Sequence, residues 1–191
     1  NLGKDRREDA AHGIGNAITL TVGTSVVLMI LFEIFLEPLC HLFGATDTNL
    51  PYALDYGRII VLGFPFAMID GTFGSIIRAD GRPKSSMVGL LIGCITNLIL
   101  DPVFIFVFQW GVKGAAFATI IGQILNAVYF IYCMLRFQTF DIKKENLIPK
   151  WRIVKRVLPL GASSFITQVA AVFVVAVINN ALVKYGALSK Y

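Results

Sequence analysis

An all-α integral membrane protein, a polytopic bundle of transmembrane helices, is the fold class this sequence predicts, on three observations. Hydrophobic residues make up 56% of the chain and charged residues only 15%, whereas a soluble domain carries about 25% charged. Five apolar stretches, Gly15–Leu39, Tyr56–Ile77, Met87–Phe108, Gly114–Phe137 and Val157–Lys184, each reach the roughly 20 residues that cross a hydrocarbon core of about 30 Å. The charges gather between these stretches, in register with the crossings. The stretches are apolar around most of a helical circumference and lack the alternation of outer-membrane strands. Open strands would leave backbone groups unsatisfied in lipid, so the spans are read as helices.

The elements follow in order. The opening NLGKDRREDAAHG is polar. The first segment is expected to finish at Glu37-Pro38, because proline disfavours helix continuation. The loop HLFGATDTNLP is rich in turn residues. The second segment contains Gly63 and Pro65, which predict a bend near its middle. It leaves through the basic turn RADGRPKSSM. The third carries Gly89 and Gly93, the four-residue spacing that lets helices approach closely, and then Asn97, Asp101 and Pro102. The short turn QWGVKG joins it to the fourth in a helical hairpin. The fourth opens on the small residues Gly114, Ala115, Ala116 and Ala118. The polar loop from Gln138 to Lys155 is the best candidate for a boundary between two bundles. Pro159 and Gly161 are expected to break the start of the fifth segment.

Net charge is +5 and the pI about 9.2, but the distribution argues against a nucleic-acid surface. Of the 17 basic residues, 13 fall before segment one, between two and three, or between four and five; Arg58, Lys113, Lys184 and Lys190 are the exceptions. Every second loop is basic, as the positive-inside rule requires for five consecutive crossings. The expectation is a multi-pass protein of the cytoplasmic membrane whose first residue is cytoplasmic and whose last is outside. No signal peptide is visible, and the ends suggest part of something larger. Cys40, Cys94 and Cys133 are scattered without metal or redox spacing, so packed free thiols are expected.

Ionisable residues inside a span cost about 2.5–3.5 kcal/mol on insertion scales, so each is a candidate site. Asp101 and Asn97 lie one turn apart on one face. Together they offer hard oxygen ligands to a small cation, or a titratable proton site with a hydrogen-bonding neighbour. They can equally be a structural network around Pro102. Asp70 is the second intramembrane acid, a candidate for lining a cavity. In segment five, Gln168 is the polar residue singled out as a candidate for facing a cavity. Glu33 and Glu37 are expected at the outer interface, and Trp110, Trp151, Tyr52 and Tyr185 in the aromatic belt. His12 and His41 have no nucleophile motif, metal-ligand pair or phosphate loop around them, so no enzyme, no cofactor and no structural metal is expected.

At RADGRPKSSM, followed by NLILDPVFIFVFQWGVKGAAFATIIGQ, the sequence resembles the multidrug and toxic compound extrusion (MATE) family of secondary transporters. The Asn-x-x-x-Asp-Pro pair, the Trp-Gly turn and the Gly-Ala-Ala-x-Ala-Thr helix start come in that order; LGKDRREDA and VLPLGASSF fit as well. The resemblance covers essentially the whole chain. It implies twelve helices in two lobes around a central cavity, with this chain running from the loop before helix three to just past helix seven. Residues 1–140 would then belong to the amino-terminal lobe, 141–156 to a cytoplasmic inter-lobe linker and 157–191 to the first helix of the other lobe. It further implies export of cationic and other amphipathic organic compounds in exchange for H⁺ or Na⁺, by a protein acting as a monomer. Asn97, Asp101 and Thr119 match a cation-responsive cluster of one branch; the acid it takes from helix one falls outside the chain. Segment five lacks the acids of another branch. The alternative is a lipid-linked oligosaccharide flippase of the same broader superfamily, whose cavity would carry arginines for a phosphate. A prenyl-phosphate transferase would need Asp-rich metal motifs, and Asp80 alone is not one. A non-catalytic assembly subunit would have little use for Asn97 and Asp101 in the bilayer.

Overall fold

Backbone groups in lipid have to be satisfied within their own segment, and each apolar stretch is helical. The structure, a computed structural model, describes residues 7–136 and 151–186. In chain order these are α1 (Arg7–Ile34), α2 (Leu36–Leu42), α3 (Leu50–Leu62), α4 (Phe64–Ala79), α5 (Pro83–Pro102), a π turn (Val103–Val107), α6 (Gly111–Leu135) and α7 (Trp151–Gly186). Four helical stretches are long and apolar enough to cross a membrane, and the bent pair α3–α4 makes a fifth. The ten residues 141–150 of the expected linker lie outside the described residues; its last six, from Trp151, are helical.

The prolines act at positions the sequence only partly predicts. Segment one breaks at Phe35, one turn before the expected Glu37-Pro38. Pro38 has no N–H for the Ile34 carbonyl, so the interruption appears upstream and Pro38 itself sits in the first turn of α2, where the missing donor costs little. Gly63 and Pro65 do bend segment two: α3 and α4 meet at 50°. A Cβ on Gly63 would come within 2.8 Å of Gln123 Oε1 and 2.9 Å of Ile120 Cγ1, so the bend presses against α6. After Pro102 the helix widens into the π turn, where the Phe108 N–H bonds Val103 O at 3.0 Å. The hairpin is closed by the Trp110 N–H on Phe104 O at 3.0 Å, with positive φ at Gln109 and Gly111. Segment five corrects the expectation: α7 runs unbroken through Pro159 and Gly161. Proline there forfeits one bond, to Lys155 O, nine residues short of the apolar window Ser164–Lys184, where water can take that carbonyl.

α6 is the central helix, packed against α3, α4, α5 and the π turn, while α1 lies on α4. Phe130 is fully buried among Phe73, Ile77, Cys133 and Met134. The Gly89/Gly93 face meets α6 as its spacing predicts. A Cβ on Gly89 would overlap the Phe130 ring, and one on Gly122 would stand 2.8 Å from Gly93 O. Thr21 Oγ1 and Thr72 Oγ1, 2.8 Å apart, tie α1 to α4. At the hairpin end, Lys113 Nζ lies 3.1 Å from Asp55 and Arg58 Nε 3.8 Å from Glu33, all exposed. At the other end the Arg78 guanidinium donates to Ser86 Oγ and Ser75 Oγ, both at 2.9 Å, and Arg82 Nε to Asp80 Oδ2 at 3.1 Å. Cys133 is packed as expected, whereas Cys94 is exposed and Cys40 half-buried. α7 meets α1 and, through Asn180 Nδ2 on Leu42 O at 2.8 Å, α2.

Gly122→Ala should therefore lower stability by about 1–3 kcal/mol through overpacking. Gly71→Ala, with nothing within 4 Å of its Cβ, should be neutral or slightly stabilising. Thermal unfolding of the detergent-purified protein, followed by size-exclusion chromatography, reads both. Equal midpoints for the two variants would refute the close α5–α6 contact.

Candidate cation site

Asn97 and Asp101 are supplied by α5 and Thr119 by α6. The tight hairpin fixes the register between the helices, and the side-chain-free contact of Gly93 and Gly122 fixes their separation. A Cβ on Gly122 would stand 3.6 Å from Asn97 Cβ, so the three polar residues begin where the glycine contact ends. The two ends of the Asn97 amide are told apart by their partners. Turned so that Nδ2 faces Asp101 Oδ2 at 3.2 Å, the amide presents Oδ1 to Thr119 Oγ1 and to the Thr119 N–H, both at 3.3 Å. The single Thr119 hydroxyl proton is shared between Asn97 Oδ1 and Ala115 O, the latter at 3.0 Å. These interhelical bonds are at the long end of the range. The group offers two carboxylate oxygens, an amide oxygen and a hydroxyl oxygen, a donor set suited to a small hard cation or a proton.

Next to this group is a cavity of about 230 Å³ between α4, α5 and α6. Asp70 comes from α4, Asn97 and Cys94 from α5, and Thr119, Gln123 and Asn126 from α6. The structure thus brings Asp70, Asn97 and Thr119 to one cavity, with Asp101 hydrogen-bonded at its edge. Gln168 is elsewhere: it is exposed on α7 and does not line the cavity. Gln123 and Asn126 are additions to the residues the sequence singled out. Their signal was present, since Thr119, Gln123 and Asn126 fall at i, i+4 and i+7, one polar stripe on an otherwise apolar helix. No lysine, arginine or histidine lines the cavity among the described residues, and no group of three His, Cys, Asp or Glu side chains is placed to hold a metal ion. A second cavity, about 510 Å³ and mostly apolar, opens between Phe32, Leu36 and Phe43 and the α7 residues Leu182 and Val183.

A polytopic membrane helix bundle with a polar cavity between its spans is the architecture in which secondary transporters hold their sites. The sequence matches the MatE family over residues 1–103, and the chain belongs to that family, which is one of transporters rather than enzymes. It is 29% identical over 168 residues to the multidrug export protein MepA of Staphylococcus saprophyticus, covering 87% of this chain and 37% of that protein. The MepA of Staphylococcus aureus is similar to the same extent. The chain therefore spans just over a third of the length of these relatives. Among solved structures it resembles an outward-facing multidrug resistance MATE family transporter of the MOP superfamily, with a TM-score of 0.80, 25% identity, and 85% of this chain against 37% of that one. A MOP superfamily transporter from Pyrococcus furiosus, described as having a binding pocket of reversed polarity, gives a TM-score of 0.79 at 25% identity, over 85% and 36% of the two chains.

Thr119→Val keeps the side-chain shape but removes Oγ1 from the Asn97 amide. It should cost about 0.5–1.5 kcal/mol. With Asn97→Leu in the same background the combined loss should fall short of the sum, because the two variants break one contact. Strict additivity in a thermal double-mutant cycle would mean the two side chains do not interact.

Proposed function

We propose that the intact protein is a cation-coupled antiporter, exporting drugs and other amphipathic, largely cationic organic compounds across the cytoplasmic membrane in exchange for H⁺ or Na⁺. The observation that carries this reading is the Asn97–Asp101–Thr119 group beside a polar cavity inside the span layer. In lipid such a group is costly to keep, which makes it a functional candidate. Asp101 binds the coupling ion, Asn97 and Thr119 support it, and Asp70 lines the pathway; Gln168 contributes only if α7 turns it towards the pathway in the intact protein. Binding the cation neutralises the Asp101 carboxylate and so changes the helix packing that is stable near the Gly63 bend and the Pro102 π turn. Alternating access follows when the two packings open to opposite sides. The drug export printed in the name of the MepA relatives supports the substrate class. That no cationic side chain lines the cavity among the described residues supports export over a flippase that grips a phosphate. On this reading residues 1–140 belong to one lobe, 141–156 link it to the next, 157–191 begin that next lobe, and the protein acts as a monomer.

Asp101→Asn in the intact protein should abolish ion-dependent efflux of a cationic dye from cells, or reduce it by at least about tenfold, without lowering expression. Unchanged, still ion-dependent efflux would remove Asp101 from the coupling site. Orientation is tested separately. In a cysteine-free background Lys84→Cys, in the basic turn, should be shielded from an impermeant maleimide in whole cells, and Lys113→Cys, in the hairpin turn, should be labelled. The reverse pattern would invert the proposed topology.

A further inference from the structure

The turn between α4 and α5 and the end of α6 set four basic side chains, Arg78, Arg82, Lys84 and Arg136, against one carboxylate, Asp80, the only acid in RADGRPKSS. The two segments meet, since Arg82 Nη2 reaches Arg136 O at 3.5 Å. Three of the four cations are held in place. Arg78 donates to Ser75 Oγ and Ser86 Oγ, both neutral acceptors. Arg82 Nε pairs with Asp80, whose side chain is 2% exposed. The Arg136 guanidinium lies 4.8 Å over the Tyr132 ring, and such stacking engages its face while leaving in-plane donors for an acceptor. A positive-inside bias needs only charge on one side, which solvated lysines supply. It does not need guanidiniums fixed by neutral partners on two separate segments. Arg78, Lys84 and Arg136 are exposed, and close to them in the chain Met87, Leu90 and Leu135 are exposed as well. Charge and apolar surface therefore adjoin at the end of the spans, the level at which headgroups give way to acyl chains.

We propose that this end of the bundle binds the phosphate of an anionic phospholipid. Arg136 and Lys84 supply donors, Arg78 and Arg82 a fixed positive field, and the apolar side chains of α5 and α6 receive the acyl chains. Arginine suits the task because its planar fork grips a phosphate through paired hydrogen bonds. A zwitterionic headgroup carries its own ammonium group and gains less from a surplus of positive charge. The inference is independent of which ion is exchanged and which compound is exported. A lipid seated on Arg136 beside Arg82 would tie the α4–α5 turn to the end of α6, as the Trp-Gly hairpin ties α5 to α6 at the opposite end.

The test is native mass spectrometry of the intact, detergent-purified protein, titrated with phosphatidylglycerol and with phosphatidylcholine of the same acyl chains. The unaltered protein should retain phosphatidylglycerol at the lower concentration. Arg136→Gln combined with Lys84→Gln should weaken phosphatidylglycerol by about tenfold or more, each basic residue at an anionic surface being worth about fivefold, and leave phosphatidylcholine unchanged. Lys113→Gln, at the hairpin end, should change neither. Equal binding of the two lipids, unchanged phosphatidylglycerol binding by the double variant, or an equal loss in Lys113→Gln would each overturn the proposal. A separate arm compares the thermal midpoint with phosphatidylglycerol and with inorganic phosphate at the same concentration. The lipid should raise it more, and an equal rise would assign the site to free phosphate instead. Should the double variant not fold, Lys84→Gln alone should weaken phosphatidylglycerol about fivefold; unchanged affinity there overturns the proposal equally.

Discussion

The contact between Gly93 and Gly122 sets the spacing on which the polar interior depends. Helices in lipid gain little from burying apolar surface, because the acyl chains are as apolar as leucine. Association rests instead on close dispersion contact and on hydrogen bonds that work only at short range. With no side chain at either glycine the backbones of α5 and α6 touch, Gly122's missing Cβ being 2.8 Å from Gly93 O. One turn towards the hairpin, that proximity is what lets Asn97 span to Thr119 at 3.3 Å. Towards the other end it seats Phe130 against the bare backbone of Gly89.

Apolar and polar layers consequently divide α6 along its length. Around Phe130 the helix is packed by Phe73, Ile77, Cys133 and Met134. From Asn126 to Thr119 the same face carries polar atoms and borders open volume. At Gly63 the bend brings α3 and α4 onto Gln123 and Ile120 without a side chain in between.

Much of this was legible in the sequence. Span number, the Gly63/Pro65 bend, the hairpin and the nearness of Asn97 to Asp101 follow from hydropathy, turn chemistry and helical spacing, all local properties. What escaped was non-local or depended on where a proline's missing donor is felt. Pro38 breaks its helix one turn upstream, and Pro159 does not break α7 at all, since the cost depends on whether the freed carbonyl can reach water. Gly122 as the partner of Gly93 could not be chosen among the small residues of segment four without the register. Asn126 shares a polar stripe with Thr119 and Gln123, but that Asp70 lies across the cavity from it depends on how α6 packs on α4.

Among the described residues α7 packs on α1 and, through Asn180, on α2. It is one helix over 36 residues, about 54 Å, and forfeits only the backbone bond at Pro159. A helix of that kind satisfies its own polar groups and needs no tertiary partner to remain in lipid. Biogenesis of the chain therefore divides into two separable events. Spans partition one at a time as they emerge from the translocation machinery, and lateral docking comes afterwards. Substitutions that lower the apolarity of a span would then be felt at the first event, while those at the glycine seam of α5 and α6 would pass it and be felt only at the second.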